Sequence, residues 1–142
     1  MKTNQDILAS LLKTTQMGQV GIRSVLNISA SPEMEQALNS QLREYDIIES
    51  EAHAIAKKKN WKLQELNHGV RIMSDMMTRM KLSYDSSDSK IAAMMVQGNT
   101  RGVIKSLKNL HRYKNRDPQI AELSHKLLDC ENENIKQMEA FL

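Results

Sequence analysis

The chain has only two prolines, and each directly follows a residue suited to cap a helix: Ser31-Pro32 and Asp117-Pro118. A serine or aspartate in that position accepts a hydrogen bond from a free amide of the first helical turn, and proline at the next position forfeits nothing, since its missing N–H would have had no partner there. Both prolines therefore mark helix starts, and none interrupts the chain elsewhere. With five glycines in 142 residues, the turn chemistry that many β-strands require is missing as well. An all-α fold is expected.

Apolar spacing supplies the rest of the segmentation. Thr3 and Asn4 precede a stretch reaching about residue 28 in which Leu8, Leu11, Leu12, Ile22, Val25 and Leu26 recur at helical intervals. The second helix opens at Pro32 and carries Met34, Leu38, Leu42, Tyr45, Ile48, Ala52, Ile55 and Ala56 on one face. It ends near Asn60, after Lys57, Lys58 and Lys59, whose charges suit the negative end of the helix dipole. Asp85 to Asp88 form a polar break before the third helix, and the fourth is expected to run from Pro118 to the end of the chain with Ile120, Leu123, Leu127, Met138 and Phe141 inward. At ~1.5 Å per residue the four helices are each about 36 to 42 Å long. The connector from Trp61 to Tyr84 is expected to hold a shorter helix with Leu66, Val70, Met73, Met77 and Met80 on one face. Short links make the first and second helices antiparallel, and likewise the third and fourth, while the long connector can return the chain along the bundle. The expected architecture is one domain, residues 1–142, forming a four-helix bundle with one crossover.

Composition narrows the function classes. Hydrophobic residues at 40% and charged residues at 26% suit a soluble globular chain, and with aromatics at 4% the ten methionines take over much of the filling. Cys130 is the sole cysteine, which excludes an intramolecular disulfide and suits a reducing compartment. The opening segment MKTNQDILASLLKTTQ has no signal-peptide core, and no apolar run approaches the ~20 residues that span a bilayer. The expectation is a cytoplasmic protein with no membrane partner. A net charge of +3 selects no ligand by itself.

Chemistry inside a bundle must come from polar residues in phase with the apolar stripes. Gln19 falls with Leu8, Leu12 and Leu26, with Gln16 towards the edge of that stripe; Glu49 falls with Tyr45, Ala52 and Ala56, with His53 at the margin. Asn99 lies among Met95, Val103 and Leu110, and Glu131 and Asn134 lie with Leu127 and Met138. This layout resembles the ferritin-like superfamily, whose di-iron members place a Glu on each of two helices and Glu-x-x-His on each of the other two. The segment Gly98-Asn99-Thr100 also resembles a Gly-Glu stretch in bacterial ferritin-like bundles. On that resemblance Gln19 and Asn99 stand where single carboxylates are expected, and Glu131-x-x-Asn134 stands for Glu-x-x-His. The second helix offers either Glu49-x-x-Ala52 or Ser50-x-x-His53, and each loses a ligand.

Neutral amides are poor substitutes for hard anionic ligands, so neither a di-iron centre nor another cofactor is expected. Amides do donate and accept, so Gln19, Asn99 and Asn134 are expected to satisfy Glu49 and Glu131 in one buried network. The expected function is a non-enzymatic structural or interaction module, homo-oligomeric and most simply dimeric, to whose interface an outward Met76 would contribute. One alternative is a single metal ion held by Glu49, His53 and Glu131 with amide oxygens. Another is polyanion binding by Arg101, Lys105, Lys108 and Arg112, extended by Lys114 and Arg116; nucleic acid is disfavoured because no aromatics are interleaved for base stacking. Glu122-x-x-His125 is the only literal Glu-x-x-His, but its phase puts it on the solvent face, and His68 and His111 have no partners at zinc spacing. The four methionines Met73, Met76, Met77 and Met80 are expected to fill the core rather than bind a soft metal.

Overall fold

The computed structural model describes residues 2–28, 31–64 and 87–142. They form four helices: α1 Asn4–Leu26, α2 Pro32–Lys58, α3 Asp88–Arg112 and α4 Pro118–Glu139. Each starts on a side-chain cap. Thr3 and Asp6 form a reciprocal capping box on α1, Ser31 accepts from the Met34 amide, Ser87 from Lys90, and Asp117 from Gln119 and Ile120. The fourth helix stops at Glu139 instead of reaching the last residue, closing on turn bonds from Phe141 and Leu142. The connector helix expected around Leu66 to Met80, with His68 and Met76, lies outside the described residues.

Contacts between helix ends fix the directions. The Ser31 hydroxyl donates to the Asp88 carboxylate at 2.5 Å, joining the heads of α2 and α3. Lys59, at the foot of α2, pairs with Asp117, which caps α4, at 2.9 Å. Near the start of α1, Ser10 accepts from Asn109, near the end of α3, at 2.7 Å. The helices therefore run up, down, down and up, and residues 59–87 carry the chain from the foot of α2 to the head of α3. In this square α1 and α4 each pack on both α2 and α3, and α1 and α4 also meet across the diagonal.

At the foot of the bundle one side-chain oxygen makes two ties. Asn4 Oδ1 accepts both from the Tyr113 hydroxyl and from the Asp117 amide, the latter at 3.0 Å, while the Lys2 amide donates to the Arg112 carbonyl at 2.8 Å. The start of α1 is thus fastened to the turn between α3 and α4.

Apolar side chains from all four helices fill the interior, including Leu8, Leu12, Ile22, Met34, Leu38, Ile48, Ile91, Ile120 and Met138 at 2% exposure or less. Burial of each such side chain stabilises the fold by ~1.5 to 3 kcal/mol. None of the described helices is long and apolar enough to cross a membrane.

Candidate functional site

Midway along the bundle the apolar core gives way to a polar cluster centred on Tyr45. Its ring is 2% exposed, and an apolar surrounding obliges the hydroxyl to find partners within the protein. The hydroxyl donates to Asn99 Oδ1 at 3.0 Å and accepts from Asn134 Nδ2 at 3.3 Å. Asn99 Nδ2 in turn donates to the Met95 carbonyl of its own helix at 2.9 Å. One hydroxyl therefore links α2, α3 and α4.

Glu131 sits beside this hub at 2% exposure, and its Oε2 has no hydrogen-bond partner. Burial pushes its carboxyl up to about 8, with the Tyr45 hydroxyl pulling in the opposite direction. The Tyr45 phenol is itself held well above its ordinary value, by burial first and then by the Glu131 charge. Burial disfavours the charged carboxylate, and the Tyr45 hydroxyl, whose proton is directed to Asn99 Oδ1 at 3.0 Å, offsets this only in part.

Two glycines make room for this arrangement. A Cβ on Gly102 would come within 2.7 Å of Glu131 Oε1, and a Cβ on Gly18 within 2.5 Å of the Tyr45 ring. Each glycine costs a helix interior about 1 kcal/mol relative to alanine, and here the backbone must lie against a buried polar group.

The expected single network is divided. Asn99, Glu131 and Asn134 do meet, around a tyrosine that periodicity alone assigns to the apolar stripe. Gln19 is buried, but its amide donates to Asp46 at 2.8 Å at the α1–α2 edge, where Asp46 also faces Arg23 at 3.7 Å. Glu49 is half-buried and accepts from Gln16 at 3.2 Å. His53 is exposed on the outer side of α2. Helix phase brings Gln19 and Glu49 to the stripe, but close antiparallel packing of α1 on α2 lets each find an acid or amide across the seam before reaching the bundle axis. Gln16, placed at the edge by phase, is 1% exposed for the same reason. Glu122 and His125 are exposed, as their phase requires.

Among the described residues no three side chains of His, Cys, Asp or Glu are grouped so as to hold a metal ion. The donors at the centre are one carboxyl, two amides and a phenol, and the carboxyl is already close against the Gly102 backbone. That set lacks the several anionic oxygens two irons require, so a di-iron centre does not fit these residues. Cys130 neighbours the cluster, its thiol 3.8 Å from Asn134 Nδ2, but burial and the nearby Glu131 push it up to about 12, which makes it a weak nucleophile. Comparison with protein-family models, curated proteins and solved structures gave no match.

Proposed function

We propose that the chain is a ferritin-like bundle whose central ligand positions have become a neutral hydrogen-bonded cluster, and that it acts as a non-enzymatic structural or interaction module. The up, down, down, up order of the helices supports the kinship, because one long crossover between the second and third helices is the connectivity of that superfamily. The observation that supports the loss of metal chemistry is the donor set at the centre, where Glu131, buried against Gly102, is the one carboxyl beside two amides and a phenol, too few anionic oxygens for two irons. The single-ion alternative has no geometric support, since Glu49 turns to Gln16 while His53 faces outward.

In the same proposal the module is cytoplasmic, in keeping with one half-buried thiol, and self-associating. Metal analysis provides the test. Protein purified without chelator, then incubated with iron(II), manganese(II) or zinc(II) and dialysed, is expected to retain far less than one ion per chain. One tightly held ion per chain, lost in Glu131→Gln, would overturn the proposal. Sedimentation that returns only monomer would remove its self-associating part.

A further inference from the structure

The outer surface of α3 carries two rows side by side. Arg101, Lys105, Lys108 and Arg112 follow one another at i, i+4, i+7 and i+11, all exposed. Next to them Ile104 and Leu107 are 49% and 43% exposed, among the most exposed large apolar side chains of the described residues. Ile104 lies three residues after Arg101 and four before Lys108, so the rows are in contact on the helix surface. No acidic residue occurs between Ser89 and Arg116. Among the described residues none of the four cations takes part in an ion pair, whereas Lys59, Lys126 and Lys136 all do. Arg116 differs from the row: it donates to the Leu110 carbonyl at 2.9 Å and stacks on Tyr113, so it serves the end of α3.

We propose that this face of α3 docks an acidic amphipathic helix of a protein partner, with carboxylates over the cationic row and apolar side chains over Ile104 and Leu107. Spacing and composition together select this occupant. An α-helix repeats at ~6, 4.5 and 6 Å over steps of four, three and four residues, so a partner with Glu or Asp at the same intervals pairs with all four cations in register. A nucleic-acid strand offers phosphates but nothing to cover Ile104 and Leu107, and no aromatic side chain lies in the row to stack on bases. Anionic lipid headgroups also attract cations, but being fluid they adapt to any arrangement of them, so the fixed intervals of this row give no advantage in register there. Exposed ion pairs contribute orientation and encounter rate, and the apolar row contributes the burial that holds the complex.

The inference deepens the interaction-module proposal by naming the surface and the partner chemistry, and the two fail separately. A bound metal would remove the module proposal without affecting docking, and a failure to dock leaves the metal result standing. The experiment uses the full chain and a labelled synthetic helix of about 18 residues, ~27 Å long, bearing Glu at i, i+4, i+7 and i+11 with Leu alongside. Saturable binding at low salt is expected, weakened about tenfold or more in Arg101→Glu/Lys108→Glu and regained with a peptide carrying Lys for Glu. Ile104→Ser/Leu107→Ser should also weaken it by roughly tenfold. All four positions are at the surface, and circular dichroism melts check that the variants fold. The proposal is overturned if the peptide fails to bind at low salt, or if a DNA duplex or a phosphatidylserine vesicle binds more tightly than the peptide. Unchanged peptide binding by the Ile104/Leu107 variant overturns it as well.

Discussion

Replacing Glu131 with Gln keeps the shape of the side chain and removes its titration, so it isolates what a buried acid does to this bundle. In the unfolded chain the carboxyl titrates near its ordinary value of 4.5, and in the folded protein near 8. The folded state therefore holds the proton more tightly, and stability from this group is fully present below pH 4.5 and declines as pH rises towards 8. A separation of about 3.5 pH units at 1.36 kcal/mol each sets the full loss at ~5 kcal/mol above pH 8. At pH 7, where the folded carboxyl is still mostly protonated and the unfolded one ionised, the loss is already about 3 kcal/mol, and at pH 5 it is under ~1 kcal/mol. Glu131→Gln has no such decline. Denaturant unfolding followed by circular dichroism at pH 5, 7 and 9 should show its stability advantage over the native chain growing by several kcal/mol across the series. Any penalty from fitting an amide beside Gly102 shifts all three values equally and leaves the growth intact. If the two proteins change in parallel between pH 5 and 9, Glu131 is not a neutral buried acid and the account of the cluster fails.

The other expectations come from the same contacts. Gly102→Ala should destabilise by roughly 1 to 3 kcal/mol, since its Cβ meets the Glu131 carboxyl, whereas Gly21→Ala and Gly98→Ala, which have open space, should each gain up to about 1 kcal/mol in thermal or chemical unfolding. Tyr45→Phe removes the hub hydroxyl and leaves Asn99 and Asn134 short of a partner, costing about 1 to 3 kcal/mol. Because that hydroxyl holds the Glu131 carboxyl down, the same variant should move its titration, followed by carboxyl NMR shifts, to higher pH. Asp117→Ala removes the α4 cap and the Lys59 pair and should cost roughly 1 to 2 kcal/mol at neutral pH. Lys59 holds the Asp117 carboxyl below its ordinary value, so this contribution is present above that value and fades as the acid is protonated. Urea titrations of Asp117→Ala should accordingly approach those of the native chain at low pH.

The four long helices are legible because their signals are local. Ser31-Pro32 and Asp117-Pro118 announce helix starts whatever packs around them, and stripes such as Leu123, Leu127 and Met138 keep their phase in the structure. The cluster was legible only in part. Phase found Asn99, Glu131 and Asn134, but it classed Tyr45 as another large apolar residue, although a phenol deep in a stripe needs a partner and thereby advertises a polar neighbourhood. Gly18 and Gly102 were a second signal, since a glycine inside a helix often marks a close approach. Gln19, Glu49 and His53 were misjoined because phase gives an angle around one helix and not the distance to the next. Asp46 and Gln16, on facing sides of the α1–α2 seam, decide where two of those three side chains go.

The Asn4 fastening has a consequence for how the molecule breathes. First turns of helices ordinarily fray alone, at little free-energy cost, but here the first turn of α1 shares one side-chain oxygen with residues more than a hundred positions along the chain. Opening that turn releases the Tyr113 hydroxyl and the Asp117 amide together, so the first turn of α1 and the α3–α4 turn make up one cooperative opening unit. The first turn of α1 thus sets the local stability of a turn that is remote from it in sequence.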